Sequence, residues 1–527
     1  MITAKQPHPA PGSIKPAAAD APPKVIIIGA GVAGLSCGCY LQMNGIQTEI
    51  LEAGELPGGL CTAWKRGHYM FDGCLRWLVG AEPPVKPPSP FHKMWRELGA
   101  IGGRKVFVHD EIFHIEAPNG QKMIVPSDLD KLAAEFKRLS PEDSHLIDRL
   151  VKDARRCVSL EPLERPIELM PHRDRIREGL RYIPIVPIVM RWKNLSLGDY
   201  LKRYKNDFLR KTLRVITGSE EMSALVLPMV LAFRSRKDTG FVAGGSWDFA
   251  MAIADRYEKL GGVFRYNTKV TSIQLENDRA VGVRCENGTT LPASTVISCA
   301  DGYTTIFKML NGRFVDKKIR FLYEQCQTFH ALIQISLGVK KVFPNTPHTL
   351  NLILPEQLLV DDQTSHDCFE VESFDATSGL CAEGTMMMTV RLPTNYQFWM
   401  DLKKTDPRRY RQEKKNILRK IIAILDQRFP GLARSIERFD VATPATFVRY
   451  TNNWRASYEG WLPTPRILGR RIRYTLPGLK NFFMAGHWVI PGGGLPSAAL
   501  SGREVAQMVC AKSGKTFAAS EPSPVRN

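Results

Sequence analysis

Short runs of consecutive apolar residues mark the strands of this chain. The first run, Val25–Ile28, ends at Gly29, and its unbroken apolar character is typical of a parallel strand that is buried on both faces. The residues from Val32 to about Met43 predict a helix, and residues 48–52 predict a second strand. This order predicts a β–α–β unit at the start of the fold.

The same pattern returns twice further along the chain. Residues 240–300 predict a helix that ends near Leu260, a strand that begins at Gly261 and, after a hairpin turn, another buried strand over residues 295–298. Residues 481–486 predict a last short strand, which a glycine-rich loop joins to a helix that ends near Cys510. The α/β pattern is therefore spread over three separate parts of the chain.

The size and composition of the chain are those of a soluble globular protein. Its 527 residues suggest about two to four domains. Its 44% hydrophobic and 24% charged residues exclude a wholly disordered, collagenous or coiled-coil chain. No run reaches the ~18 apolar residues that a membrane-spanning helix requires. Residues 1–23 predict a disordered tail without the apolar centre of a signal peptide, and residues 513–527 predict a second disordered tail.

Charge and cysteine content narrow the choice of partners and compartment. The excess of 72 Lys and Arg over 53 Asp and Glu leaves a net charge of +19. Such an excess favours an anionic partner, such as nucleic acid, a phosphate-bearing ligand or an anionic membrane. The 11 cysteines are irregularly spaced and form no pair of C-x-x-C motifs, so they predict no zinc ribbon, and we expect no metal site. This usage is typical of a reduced, cytosolic protein.

The first chemical motif, G-x-G-x-x-G, occupies residues 29–34, between the first strand and the first helix. Gly29 permits a tight turn, Gly31 lets the backbone approach a pyrophosphate, and Gly34 lets the helix pack on the strand. The helix N-terminus supplies free N–H groups. Glu52 ends the second strand, where an acidic residue can bind a ribose hydroxyl. Strand, helix and terminal acid together predict a dinucleotide site.

A second pair of glycines, Gly58 and Gly59, follows Pro57 shortly after Glu52. These glycines let more backbone approach the same diphosphate, which favours a flavin dinucleotide over a nicotinamide. No second G-x-G-x-x-G motif occurs in the chain. The sequence therefore predicts one dinucleotide site and no separate nicotinamide domain.

The third motif is the glycine-rich loop of residues 486–496, between the last strand and the last helix. A helix N-terminus that points at a flavin stabilises the negative charge that develops at the pyrimidine end of the ring upon reduction. The position of this loop therefore favours a role in contact with the flavin.

Together these motifs resemble those of the FAD-dependent phytoene desaturase-like flavoproteins. That group includes carotenoid desaturases, carotenoid isomerases and retinol saturases, and it is related to the amine oxidases. The resemblance rests on residues 29–34, 57–59, 262–301 and 485–501 and extends over about residues 24–512. It implies FAD as the cofactor. The cofactor-binding residues that it implies are Gly29, Ala30, Gly31, Gly34, Glu52, Ala53, Gly58, Gly59, Val270, Gly486, Gly494 and Leu495.

The resemblance also implies a fold class and a division into domains. We expect an α/β fold in which a discontinuous, Rossmann-like FAD-binding domain carries an inserted α+β substrate domain. The FAD-binding domain is expected in three parts, residues 24–104, 240–305 and 475–512. The substrate domain is expected in two parts, a membrane-facing part over residues 105–239 and a second part over residues 306–474.

The sequence departs from the family pattern at one point. Amine oxidases and many bacterial carotenoid desaturases have an arginine soon after the paired glycines, whereas this chain has Leu60, Cys61 and Thr62 there. The difference argues against a typical amine oxidase.

Three segments are candidates for contact with the substrate or with a membrane. Residues 182–192 lie within the basic stretch of residues 173–214. They predict either a patch that dips into an anionic membrane surface or a core segment beneath a basic face. The aromatic-rich stretch of residues 443–450, which is followed by Trp454, Tyr458 and Trp461, predicts either the wall of an apolar pocket over the flavin or ordinary core. Residues 224–233 are more typical of a buried helix than of the wall of a lipid tunnel.

The sequence offers few candidates for catalysis. Hydride removal by a flavin depends on position and an apolar pocket more than on an acid or a base. His487 adjoins the glycine-rich loop, and Arg449 and Arg76 could hold a polar head group of the substrate. A structural role is the more common one for each of these residues.

The leading hypothesis is an FAD-dependent oxidoreductase that desaturates, saturates or isomerises a long, carotenoid- or isoprenoid-like substrate. It would be a cytoplasmic protein, peripheral on an anionic membrane, and would pass electrons to oxygen, a quinone or a diffusing partner. The alternatives are a flavin amine or amino-acid oxidase and a non-catalytic, flavin-containing lipid-binding protein. No nucleic-acid recognition module is visible, so no nucleic-acid partner is expected.

Overall fold

A computed structural model describes residues 25–81, 89–470 and 472–523 of the chain. The disordered tail expected for residues 1–23 lies outside the described residues. Among the helices that are described, none combines the length and the apolar character needed to cross a bilayer.

The strands follow one another along the whole described chain. In chain order they are β1 (Val25–Ile28), β2 (Thr48–Leu51), β3 (Ala63–Arg66), β4 (Tyr69–Asp72), β5 (Leu78–Val79), β6 (Val106–Phe107), β7 (Glu111–Glu116), β8 (Lys122–Pro126), β9 (Thr239–Val242), β10 (Val263–Arg265), β11 (Val270–Glu276), β12 (Arg279–Cys285), β13 (Thr290–Pro292), β14 (Thr295–Ser298), β15 (Ala331–Val339), β16 (Thr349–Leu359), β17 (Ser365–Phe374), β18 (Met386–Thr394), β19 (Ile436–Ala442) and β20 (Phe482–Met484).

The α-helices are most frequent between residues 129 and 259, and the others are spread along the described chain. In chain order they are α1 (Val32–Met43), α2 (Pro90–Glu97), α3 (Leu129–Leu139), α4 (Ser144–Cys157), α5 (His172–Tyr182), α6 (Val186–Trp192), α7 (Leu197–Leu201), α8 (Asp207–Thr217), α9 (Val226–Ser235), α10 (Gly245–Lys259), α11 (Lys317–Gln325), α12 (Tyr396–Thr405), α13 (Pro407–Arg428), α14 (Leu432–Ser435), α15 (Pro444–Thr451) and α16 (Gly494–Lys512).

The first main sheet contains β10, β2, β1, β14 and β20 in that order, all parallel. Its strands come from three distant parts of the chain. Every residue of β1, β2, β14 and β20 is buried, as expected for short runs that are covered on both faces, whereas the edge strand β10 is largely exposed. Helix α1 contacts both α10 and α16. The prediction of an α/β fold with a discontinuous Rossmann-like domain is confirmed.

The second main sheet has seven strands in the order β19, β15, β18, β17, β16, β7 and β8. Neighbouring strands are antiparallel except β7 and β16, which are parallel. On one face, Ile335 and Val390 pack with Trp399 and Ile421 of helices α12 and α13. Because side chains alternate along a strand, the polar neighbours of these residues point to the opposite face. That face lines the cavity described below.

Helices α3 to α9 form a third layer with its own core. Residues 172–192 make a nearly continuous helical run, in which a short 3₁₀ turn, Ile183–Ile185, joins α5 to α6. Ile188 and Trp192 are buried in this layer together with Leu227 and Leu231 of α9. One face of the run therefore packs on the same core as α9.

Residues 513–523 lie against helix α1. The ammonium of Lys515 donates to the carbonyl oxygens of Asn44 and Gly45, and the ring of Phe517 lies 5.6 Å from that of Tyr40. This placement differs from the disordered tail expected from residue 513. The polar segment finds partners among the free carbonyl groups at the C-terminal end of the helix.

Candidate functional site

A cavity of about 1760 Å³ is lined by residues of both main sheets. Its lining begins after β1, β2, β14 and β20, at the carboxyl ends of the parallel strands, and reaches β17 and β18 of the seven-stranded sheet. Pockets for a single small molecule commonly measure about 300–1000 Å³. The cavity therefore has room for a cofactor and a second molecule together.

The turn from β1 into α1 forms one wall of the cavity. Gly29 has a φ of +96°, in the region that favours glycine. A Cβ at Gly31 would meet no atom within 4 Å, so open space lies above this backbone, whereas a Cβ at Gly34 would overlap the carbonyl oxygen of Gly29. No side chain of the described residues caps the N-terminus of α1. Its N–H groups are therefore available to a phosphate.

Glu52 follows β2, and two backbone donors hold its carboxylate. The N–H of Ala30 donates to Oε2 at 2.7 Å, and the N–H of Gly54 donates to Oε1 at 2.8 Å. Ala53 and Val270 line the cavity nearby. A carboxylate fixed at the end of this strand is suited to accept hydrogen bonds from a ribose.

Gly58 and Gly59 bring a second stretch of backbone to the same wall. Both have positive φ angles, and the N–H of Gly58 donates to the carbonyl oxygen of Ala30 at 2.8 Å. A Cβ at Gly59 would lie 3.2 Å from the Cα of Gly31. Two glycine turns therefore face the same space without side chains between them.

The C-terminal loop closes this end of the cavity. Gly486 has a φ of +108°, and its N–H donates to Oγ of Ser501 at 2.7 Å. Gly492, Gly493 and Gly494 also have positive φ angles. Helix α16 begins at Gly494 without a side-chain cap. Its N-terminus thus presents free N–H groups and the positive end of the helix dipole.

These features fit FAD. All the predicted cofactor residues except Ala30 and Gly34 line the cavity. Ala30 instead holds Glu52, and Gly34 serves the packing of α1 on β1. The prediction from the sequence missed residues 299–301, which follow β14 and also line the cavity. The rule that ligands bind at the carboxyl ends of parallel strands could have found them.

A family model described as flavin containing amine oxidoreductase matches residues 32–510. The chain belongs to this family. It is an FAD-dependent oxidoreductase. The fold is shared with an oxidoreductase from Methanosarcina mazei (TM-score 0.58, 15% identity, 92% of this chain and 99% of the other). It is also shared with a putrescine oxidase (TM-score 0.60, 15% identity, 93% and 99%).

Two relatives point to a branch of this family. Prolycopene isomerase from Daucus carota is 25% identical, over 93% of this chain and 80% of its own length. Phytoene desaturase (neurosporene-forming) from Cereibacter sphaeroides is 24% identical, over 92% of this chain and 94% of its own length. The predicted resemblance to phytoene desaturase-like flavoproteins and the prediction of FAD are confirmed.

Four charged side chains of this flavoprotein form a cluster on the cavity wall: Arg76, Glu370, Glu372 and Arg391. We call it the arginine–glutamate cluster. Nε of Arg76 donates to Oε1 of Glu372 at 2.8 Å, Arg76 also pairs with Glu370, and Arg391 pairs with Glu372. Burial opposes the charge of Glu372, but the two guanidinium groups outweigh it and hold its pKa below the usual range. The sequence left Arg76 open between holding a substrate head group and the more common structural role, and in the structure it already has two acidic partners.

A fifth charged side chain, Arg234 of α9, lines the cavity beside this cluster. Its guanidinium carbon lies 4.1 Å from the centre of the Trp77 ring. The rings of His109 and His348 stack nearby with centres 4.5 Å apart. Burial and the neighbouring His109 lower the pKa of His348 to about 4, so its ring is neutral at neutral pH. No sequence motif marks these residues, because they come from distant segments of the chain.

Glu459 and His487 lie at the flavin end of the cavity. The carbonyl of Glu459 packs on Gly493, where a Cβ would overlap it. Burial raises the pKa of Glu459 to about 7, against the effect of Arg76. Burial lowers the pKa of His487 to about 4, and its Nε2 has no hydrogen-bond partner among the described residues. Both side chains line the cavity, which places His487 where the sequence suggested.

Arg449 lies on the exposed part of the cavity lining, and its guanidinium stacks on Tyr450 at 5.3 Å. Residues 447–453 of the same aromatic stretch also line the cavity. Trp461 does not: it is fully buried, and its Nε1–H donates to the carbonyl oxygen of Trp488 at 3.0 Å. The stretch therefore divides between the cavity wall and the core.

Helix α9 also has two roles. Leu227 and Leu231 are buried in the helical layer, whereas Met229, Val230 and Phe233 line the cavity. The sequence favoured an ordinary buried helix for residues 224–233. That interpretation missed the second face, because a helix that is apolar all round shows no periodicity to separate a core from a cavity.

Proposed function

We propose that this FAD-dependent oxidoreductase acts on a carbon–carbon bond of a long, largely apolar substrate of the polyene or isoprenoid class, which it takes from an anionic membrane surface. The reaction would be desaturation, saturation or isomerisation. The observation that carries the proposal is the continuous cavity, which extends from the FAD cradle past an apolar wall to the seven-stranded sheet.

The apolar wall supports a long substrate. Met229, Val230 and Phe233 of α9 line the cavity together with Leu332 and Phe447. These side chains exclude water and offer no hydrogen bonds, as a chain of conjugated or isoprenoid carbons requires. The relatives named prolycopene isomerase and phytoene desaturase support the same class.

The chain's own groups supply what the reaction needs around the cofactor. When bound, FAD supplies the ring that accepts or returns a hydride. The uncapped N-terminus of α16 stabilises negative charge at the edge of the cavity. Burial raises the pKa of Glu459 to about 7, so its carboxyl group can gain or lose a proton near neutral pH, and it is the candidate to give or take the proton in saturation or isomerisation. In a desaturation the electrons would pass to oxygen or a quinone.

An apolar stripe on residues 172–192 supports the membrane surface. Its side chains are Ile176, Leu180, Ile183, Val186 and Met190, each at least 50% exposed. Their spacing puts them on one face of the helical run, and Ile188 and Trp192 are buried on the other. Exposed arginines flank the stripe at positions 173, 175, 177, 181 and 191. An apolar face with a basic rim suits the surface of an anionic bilayer.

The redox function is tested by mixing the FAD-loaded protein anaerobically with polyenes such as phytoene and prolycopene. Desaturation predicts that the oxidised flavin absorbance bleaches in proportion to the product formed. Saturation and isomerisation both predict product only after the flavin is chemically reduced. Saturation then reoxidises the flavin, whereas isomerisation leaves it reduced. The absence of product and of any flavin change in both states, across the series, contradicts the proposal.

The membrane surface is tested separately by sedimentation with vesicles. We expect binding to vesicles that contain phosphatidylserine, and a loss of about tenfold or more for the double variant Leu180→Asp, Met190→Asp, because two apolar anchors are removed from a face beside acidic lipids. Leu359→Asp, Phe439→Asp is the matched control, since both residues are exposed elsewhere. Equal binding of the two variants contradicts the role of the stripe.

The arginine–glutamate cluster favours a second candidate, oxidation of an amine or amino acid. Such a substrate would find charged partners in the cavity, where a hydrocarbon finds none. This function predicts that putrescine or an amino acid bleaches the flavin and that air then yields hydrogen peroxide and an imine-derived carbonyl product. Inertness toward amines with activity on a polyene decides for the first candidate.

A further inference from the structure

Arg234 stands at the end of the apolar wall of α9, on the helical turn that follows Met229 and Val230. The Trp77 ring covers one side of its guanidinium. Among the described residues the guanidinium makes no hydrogen bond or ion pair, and its Nε is buried without a partner. Arg234 is partly buried, and a cation that is withdrawn from water without a partner is costly, so cationic side chains in such places are normally paired.

The acidic side chains around Arg234 are already paired. Glu372 binds both Arg76 and Arg391, and Glu370 binds Arg76. Three arginines thus face two glutamates in this part of the cavity, an excess of one positive charge. Glu459 lines the same cavity and interacts electrostatically with Arg76, but burial raises its pKa to about 7, so below that pH it does not cancel this excess.

The two histidines near Arg234 do not balance its charge. Burial lowers the pKa of both His109 and His348, so both are neutral at neutral pH. Nδ1 of His348 lies 3.2 Å from the carbonyl oxygen of Ser373, and Nε2 of His109 is buried without a hydrogen-bond partner. A neutral imidazole can donate one hydrogen bond to an anion beside the guanidinium.

We propose that Arg234 binds the carboxylate of an amphiphilic substrate, whose apolar body lies along α9 toward the flavin. The inference rests on the proposed function and narrows its substrate class from a pure hydrocarbon to a long chain with one acidic end. A monoanion balances the single excess charge, whereas a phosphate dianion would reverse it. The planar fork of an arginine also matches the two oxygens of a carboxylate.

The test is binding of parinaric acid, a fluorescent conjugated tetraene acid, to the FAD-loaded protein, in comparison with its methyl ester and its alcohol. A hydrogen-bonded charge pair contributes about 1.5–3 kcal/mol, so the acid is expected to bind about 10- to 100-fold more tightly than the ester. In Arg234→Gln this preference is expected to vanish while binding of the ester stays within about twofold. Arg234→Lys keeps the positive charge but lacks the planar guanidinium group, and it is expected to retain part of the preference for the acid.

Lys237→Gln is the matched control, because it removes a charge three residues away from an exposed side chain that pairs with Asp110. It is expected to keep the full preference for the acid. FAD content and the thermal midpoint check that each variant is folded. If Arg234→Gln does not fold, the ratio of acid to ester affinity in the wild type and in Arg234→Lys still decides the question. Equal affinity of the wild type for acid and ester overturns the inference. So does a preference that Arg234→Gln retains.

The same experiment separates this inference from the proposed function. One outcome is that inorganic phosphate at millimolar concentration displaces parinaric acid as well as a long-chain carboxylate does. That result would overturn the assignment of an amphiphilic ligand and indicate a simple anion site. A preference for the acid, without any reaction of the flavin with polyene hydrocarbons or with parinaric acid, would support the binding site and contradict the redox proposal. Reaction of the flavin with polyenes, without a preference for the acid, would support the redox proposal and contradict the carboxylate site.

Discussion

The two ends of the cavity are built from different material. At the cofactor end, the wall is the backbone of Gly29, Gly31, Gly58 and Gly59, together with the N-termini of α1 and α16, which no side chain of the described residues caps. At the far end, the wall is made of charged and apolar side chains from distant segments, and their charges nearly cancel. The cofactor end thus depends on the absence of side chains, and the far end depends on the balance among them.

Because of this difference, mutations at the two ends of the cavity are expected to act in different ways. A diphosphate needs N–H groups and close approach, which any chain can supply with glycines at the right turns. A substrate is selected by which buried charge remains unpaired, and one substitution alters that balance. We therefore expect mutations at the far end to affect stability through uncompensated charge, and mutations at the cofactor end to act through steric overlap.

The largest effect is expected for Glu372→Gln. The substitution leaves Arg391, which is only 11% exposed, with no acidic partner among the described residues, and leaves the part-exposed Arg76 with Glu370, so we expect a loss of about 3 kcal/mol in the free energy of unfolding. Urea unfolding of the FAD-saturated protein measures it. Glu370→Gln is the control, because Glu370 is more exposed and has one partner, and it should cost much less. Equal losses would show that the cluster does not act through buried charge.

A pair of alanine substitutions at the cofactor end tests the steric explanation. In Gly34→Ala the new Cβ overlaps the carbonyl of Gly29, so we expect a loss of about 1–3 kcal/mol in stability even without FAD. In Gly31→Ala the Cβ meets open space and the φ of −67° suits alanine. We therefore expect unchanged stability of the apoprotein and FAD binding about tenfold weaker or more, a loss of at least ~1.4 kcal/mol. Calorimetry and flavin titration measure both, and similar apoprotein stabilities would refute the distinction.

The smallest effect is expected at Glu459, where the two ends meet. Its pKa of about 7 lies above the ordinary 4.5, so between these values the carboxyl is protonated in the folded protein and ionised in the unfolded chain. Unfolding then releases a proton, and the free energy of unfolding falls as the pH rises from about 4.5 to 7. The thermal midpoint of the wild type, relative to Glu459→Gln, should fall across this window. Parallel curves would contradict the raised pKa.

The sequence anticipated the cofactor end because its signals are local. Gly29, Gly31 and Gly34 lie within six residues of each other, and each glycine has a steric reason that the turn itself supplies. Glu52 follows at the end of the next strand. These positions could therefore be named without knowledge of the remaining fold.

The far end could not be anticipated in this way. Arg76, Arg234 and Glu372 are separated by more than a hundred residues each, and none stands in a motif. The sequence suggested Arg76 and Arg449 as head-group partners, but the structure pairs Arg76 with two acids and gives Arg234 no partner within the described part of the chain. Which arginine stays free depends on which strands and helices become neighbours.

The sequence by itself determined the strand–turn–helix units, the glycine turns and the FAD class, because these depend on interactions between residues close in the chain. Only the tertiary structure decided which face of α9 lines the cavity, how the charges of β17 and β18 are paired, and that Arg234 is the cation without a partner among the described residues. The physical reason is that burial and charge balance are properties of a whole neighbourhood in space. A side chain's neighbours are known only when the sheets have been assembled.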